Sequence, residues 1–71
     1  MTLKELRESQ GYGQIDVAAF CGVAIPTVST WENGKASPRP IHVRRLAEFF
    51  KKSVPEIRDA IRNSGGTADD D

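Results

Sequence analysis

An all-helical fold is what the sequence predicts, and three observations predict it. Apolar residues recur at three- and four-residue spacing in five separate segments, and no segment alternates apolar with polar residues in the two-residue rhythm of a strand. Glycines fall between the segments, and prolines fall either between them or at their starts. Two segments also open on a capping box, the Ser/Thr-x-x-Glu arrangement in which a hydroxyl and a carboxylate satisfy backbone donors reciprocally at a helix start. Five short helices joined by brief connections bury their stripes against one another around one core.

The first box, Thr2-Leu3-Lys4-Glu5, predicts a helix over about Leu3 to Ser9, with Leu3 and Leu6 on its inner face and Gly11 and Gly13 ending it around Tyr12. From Gln14 to Cys21 the pattern is helical again, with Val17, Ala18, Phe20 and Cys21 on one side and Gln14, Asp16 and Ala19 on the other. Gly22 stops this second helix. A third is expected over about Ile25 to Asn33, because Val28 and Trp31 recur three apart and Pro26 is tolerated in a first turn, where its missing N–H costs no intrahelical bond. Asn33-Gly34 closes it, and the loop from Lys35 to Arg39 leads to Pro40 in the first turn of a fourth helix. Val43, Leu46, Ala47 and Phe50 form that helix's stripe. The second box, Ser53-Val54-Pro55-Glu56, opens a fifth helix through about Arg62, with Val54, Ile57 and Ile61 inward. A folded domain over residues 1–62 is therefore expected, followed over 63–71 by a disordered acidic tail rich in Gly, Ser and Asp.

Composition narrows the function. At 71 residues the chain holds one small core and leaves little surface for a deep substrate pocket, and it presents no pair of titratable groups in a plausible cleft, so an enzyme is not expected. The single cysteine, Cys21, excludes an internal disulfide, and with the single histidine, His42, it cannot fill a four-ligand zinc shell; no cofactor or metal is expected. No apolar run approaches the roughly 20 residues that cross a bilayer. The start of the chain, Met1-Thr2-Leu3-Lys4-Glu5, also lacks the apolar region of a signal peptide, so a cytoplasmic location is expected. The net charge of zero argues superficially against a nucleic-acid partner. Three of the ten acidic residues are Asp69, Asp70 and Asp71, however, so the preceding 68 residues carry ten basic against seven acidic side chains, a net of +3.

The stretch from Gln14 to Trp31 is more specific than two amphipathic helices. Ala18 is small where the second helix must approach the third, Gly22 stands where a tight turn needs positive φ, and Val17, Cys21, Val23, Val28 and Trp31 are all apolar. These are the steric demands of a helix-turn-helix. Gln14, Ala18, Gly22-Val23, Thr27-Val28-Ser29 and the run Trp31-Glu32-Asn33-Gly34-Lys35 together resemble the Cro/phage-repressor type of helix-turn-helix, the Xre-like family, over about Leu3 to Ile61.

The resemblance implies a five-helix, lambda-repressor-like DNA-binding domain whose third helix enters the major groove, where each base pair shows a distinct pattern of donors, acceptors and methyls. Carried over residue by residue, it assigns base contacts to Ile25, Pro26, Ser29 and Thr30. It assigns phosphate contacts to Gln14, Thr27, Asn33, Lys35 and Arg39, with Arg44 and Arg45 as weaker candidates, and Gln14 stands at a helix start that offers N–H groups to the same anion. The chain departs from the family at Ala24-Ile25-Pro26, where polar or basic residues are common. Without an amide or guanidinium there, Ile25 and Pro26 are expected to read thymine methyls while Ser29 and Thr30 supply hydrogen bonds; the opposing reading is that they touch no base.

The remaining residues have plainer expectations. Trp31 and Cys21 read as core, and His42 as a partly exposed helix residue. Glu32 reads as structural, because a carboxylate near phosphates is repelled unless it pairs with a cation such as Arg7 or Lys35. Ile15, Ile41 and Phe49 are apolar where polar side chains are expected, which is either ordinary surface or a dimer contact through the fourth and fifth helices with Phe49 and Ile61 as anchors. A homodimer on a palindromic double-stranded operator, repressing transcription by occlusion, is the expected function. The rival is a protein-interaction module such as an antitoxin or regulatory subunit.

Overall fold

Thr2 and Glu5 close the first capping box as the sequence requires. The Thr2 hydroxyl accepts from the Glu5 amide at 3.1 Å, and the Glu5 carboxylate accepts from the Thr2 amide at 2.8 Å. The structure, a computed structural model, describes residues 1–65. Within them lie α1 (Leu3–Ser9), α2 (Gln14–Cys21), α3 (Ile25–Glu32), α4 (Pro40–Phe50) and α5 (Val54–Asn63), with no strand among the described residues. The fold class is all-α, in five helices.

Local chemistry sets each boundary. At the start of α2 the Asp16 carboxylate accepts from the Gly13 amide at 2.8 Å. Its end is Gly22 at φ 72°, a left-handed conformation that only glycine adopts without steric cost, and the Val23 amide then donates back to the Ala18 carbonyl at 3.0 Å. Pro26 and Pro40 occupy first turns, where no intrahelical acceptor is lost. The Ser53–Glu56 box opens α5 in the same reciprocal way as the first, at 2.9 and 3.2 Å. Asn33 serves as the cap of α3 rather than its last residue.

The helices pack α2 against α3 and α4, α4 against α5, and α1 against α5 and α3. Leu3, Leu6, Val17, Ala18, Cys21, Val28, Trp31, Val43, Leu46, Phe50, Ile57 and Ile61 make the core, joined by Ala60 and, from the loop before α4, by a fully buried Pro38. The rings of Trp31 and His42 lie 5.4 Å apart and tilted by 41°, which places the half-buried histidine against the indole. No described helix is long and apolar enough to cross a membrane.

Three expectations need correction. Phe20, assigned inward, is 44% exposed: Val17, Ala18 and Cys21 fill the inner arc of α2, and a residue three after Val17 falls at its margin, where the Phe20 ring rests on Phe49 at 5.3 Å. Ile61, a proposed dimer anchor, is 0% exposed and cannot face a second copy, because the stripe it shares with Ile57 points into the core. The boundary at residue 62 is too early, since α5 includes Asn63 and the next residue is tied down. The Ser64 hydroxyl accepts from the Leu3 amide at 3.0 Å and donates to the Ala60 carbonyl at 2.8 Å, while Asn63 donates to the Met1 carbonyl at 3.1 Å. The rest of the expected tail, residues 66–71, lies outside the described residues.

Candidate nucleic-acid interface

The steric logic of the central segment holds. Ala18 and Val28 are both buried between α2 and α3, and the left-handed Gly22 reverses the chain between them. Because Val28 and Trp31 face the core, the residues on the opposite flank of α3 point out. Ile25 is 42% exposed, Pro26 is exposed, and Ser29 and Thr30 one turn later are half-buried. The four candidate base-contacting residues therefore form one outward flank at the start of α3. Ala24 provides no side-chain cap there.

Two hydroxyls on this flank are already engaged. Thr30 donates its hydroxyl proton to the Pro26 carbonyl at 2.8 Å, one turn back, and Ser29 accepts from the Asn33 side-chain amide at 3.3 Å. The sequence gives no sign of which partner a helical threonine chooses.

Gln14 sits differently from the expectation that put it on the outer face of α2. It lies three, four and seven residues before Val17, Ala18 and Cys21, which is the spacing of one helix face, and it is half-buried. Its side-chain amide donates to Glu32 at 2.9 Å. That bond fixes the start of α2 against the last turn of α3, one residue from Asn33.

Glu32 is the hub of this corner. Arg7 Nε donates to one of its oxygens at 2.6 Å and Arg7 Nη2 to the other at 3.1 Å, with side chains only 10% and 6% exposed. Arg7 Nη1 donates to the Tyr12 carbonyl at 2.9 Å, so the guanidinium ties α1, the α1–α2 turn and α3 together. Its bonds to Glu32 raise the Arg7 pKa further above the ordinary value. Of the two cations weighed for Glu32, the structure selects Arg7. Sequence alone names Arg7 as a possible partner for Glu32 but does not tell that it is buried, since the contact joins segments twenty-five residues apart.

Lys35 and Arg39 are exposed in the α3–α4 connection, as is Asn33, whereas Thr27 is half-buried; Arg44 and Arg45 are exposed on α4. The α3–α4 turn is itself held from below. Gly34 has φ 72°, and a Cβ built on it would fall 2.5 Å from the Ser64 carbonyl oxygen, so the end of α5 presses directly on the turn that carries Asn33 and Lys35.

A second surface lies on the other side of α2. Phe49 is half-buried, with the Tyr12 ring at 4.5 Å, Phe20 at 5.3 Å and Phe50 at 5.1 Å, and Tyr12 and Phe20 are exposed. Phe49 alone of the two dimer candidates lies near solvent. Among the described residues no group of three or more His, Cys, Asp or Glu side chains could hold a metal ion.

Comparison with known proteins bears on this geometry directly. The family model described as helix-turn-helix matches residues 3–57, from the first turn of α1 into α5. No curated protein and no solved structure matches the chain.

Proposed function

Since the chain belongs to the Xre/Cro-like helix-turn-helix family of DNA-binding regulators, we propose that it recognises a specific double-stranded operator by seating α3 in the major groove and represses transcription by occluding the site. The observation that carries this reading is the outward flank of Ile25, Pro26, Ser29 and Thr30 on a helix whose far end is clamped to the start of α2 through Gln14 and Glu32. Gln14, Thr27, Asn33, Lys35 and Arg39 then meet the flanking phosphates. Gln14 can do so without leaving Glu32, because a primary amide has a second N–H and the first-turn amides of α2 point the same way.

A homodimer on a palindrome is part of the proposal, since one domain of this size reads a half-site. With Ile61 withdrawn, Phe49 and the Tyr12 and Phe20 rings around it are the anchor we retain. The same exposed aromatic surface favours a second reading, that of an interaction module gripping another protein as an antitoxin or regulatory subunit does.

Selecting duplexes from a random pool and titrating the winners against salt separates the two. A DNA reader yields a common motif, and its affinity falls steeply between 50 and 200 mM salt, by about 10³ or more where six or more phosphates are contacted. Failure to enrich any sequence, with weak binding indifferent to salt, would remove the operator-binding proposal.

A further inference from the structure

Resting on that reading of α3, we infer that the chain is a reader of 5-methylpyrimidines: it takes thymine and 5-methylcytosine as equivalents at the positions under α3, so that methylation of an operator cytosine strengthens its binding. The inference starts from what the outward flank can offer a base edge. Ile25 and Pro26 are exposed and carry no polar side-chain atom. Thr30 has one hydroxyl proton, and it is spent on the Pro26 carbonyl at 2.8 Å, which leaves the γ-methyl and an oxygen that can only accept as what Thr30 adds to the surface. Of the four flank residues, Ser29 alone keeps a hydroxyl proton to offer, its oxygen accepting from the Asn33 amide at 3.3 Å.

Such a surface cannot read guanine through its two acceptors, which takes a two-pronged donor, nor adenine through the paired donor and acceptor of an amide. Three of its four members present carbon instead. In the major groove the apolar feature that distinguishes one base from another is the methyl on C5 of thymine. A methyl added to C5 of cytosine stands at the same place on the pyrimidine edge. The two bases differ at the neighbouring position, an oxygen acceptor in thymine and an amino donor in cytosine. The locked Thr30 oxygen accepts from the amino group, and the Ser29 hydroxyl donates to the oxygen. The flank therefore holds one group for each base, and the shared methyl is what it buries in both cases.

The test uses the full chain and a duplex recovered by selection. Replacing thymine with deoxyuridine under α3 should weaken binding about fourfold per methyl, the worth of burying one carbon. Placing 5-methylcytosine opposite guanine at the same position should bind about fourfold tighter than unmodified cytosine there. Thr30→Val, which keeps the methyl and discards the hydroxyl, should retain both differences, whereas Thr30→Ser and Ile25→Ala, which each remove carbon from the surface that buries the shared methyl, should each shrink both. Circular dichroism at matched concentration confirms that the variants fold. Selective, salt-dependent binding that ignores both C5 substitutions would overturn the inference while leaving operator recognition intact; so would a Thr30→Val variant that loses discrimination when Thr30→Ser keeps it. No duplex binding at all would instead remove the reading on which the inference rests.

Discussion

Arg7 and Glu32 meet at two points, 2.6 and 3.1 Å, across the gap between α1 and α3, and both side chains are nearly sealed from water. A buried ion pair is costly to break from one side, because the survivor keeps its desolvation penalty without its partner. Glu32→Ala should therefore destabilise the domain by about 3–5 kcal/mol in urea unfolding. The double variant Arg7→Met with Glu32→Leu should lose less than either single change. An additive double would mean that the two groups do not depend on each other.

Gly22 and Gly34 share φ 72° but not their surroundings. A Cβ on Gly22 meets nothing within 4 Å, while one on Gly34 lands 2.5 Å from the Ser64 oxygen. Gly22→Ala should thus cost only the left-handed backbone penalty of about 1–2 kcal/mol. Gly34→Ala should cost clearly more, because α5 has to move as well. Equal melting temperatures for the two variants would contradict the close approach of the α5 end to the turn.

Acid should weaken both capping boxes. The Glu5 and Glu56 carboxyls are held below their ordinary value of 4.5, in each case chiefly because a backbone amide donates to the charged form, from Thr2 and Ser53 respectively. A carboxyl whose folded pKa is depressed contributes stability that is complete above its unfolded value and disappears as pH falls through the lower folded value. The double variant Glu5→Gln, Glu56→Gln retains an acceptor that does not titrate. Its melting temperature should drop less than that of the parent between pH 6 and a pH below about 3. A parallel decline in both proteins would show the boxes to be indifferent to charge.

Ile61→Ala removes a side chain with 0% exposure. The expected result is a loss of about 2–5 kcal/mol of folding stability, with no effect on self-association of the folded fraction. Phe49→Ala should do the reverse, with a smaller stability loss and weaker dimerisation on DNA seen by sedimentation. A monomer–dimer balance that shifts with Ile61 and ignores Phe49 would reinstate the fifth helix as the contact.

The helix starts were legible because they are local chemistry: Thr2, Ser53, Pro26 and Pro40 act within one turn of themselves. Gly22 was legible for the same reason. The outward placement of Ile25 and Pro26 followed from Val28 and Trp31 facing in. What could not be read were relationships between distant segments. Gln14 carries no mark that its amide meets a carboxylate eighteen residues later, and Ser64 none that its hydroxyl serves the other end of the chain. Ile61 was placed inward by its stripe and also nominated for a surface; periodicity fixes a side but not how completely a neighbour covers it. Phe20 shows the converse, a large apolar ring just outside the arc that smaller residues had already filled.

The bond from the Leu3 amide to Ser64 has one more consequence. A first-turn N–H ordinarily trades its proton with solvent quickly, having no carbonyl of its own helix to hold it. Here it is latched by a residue sixty-one positions away, so its deuterium uptake reports whether the final helix is seated, and a single resonance near the beginning of the chain becomes a gauge of events at the far end.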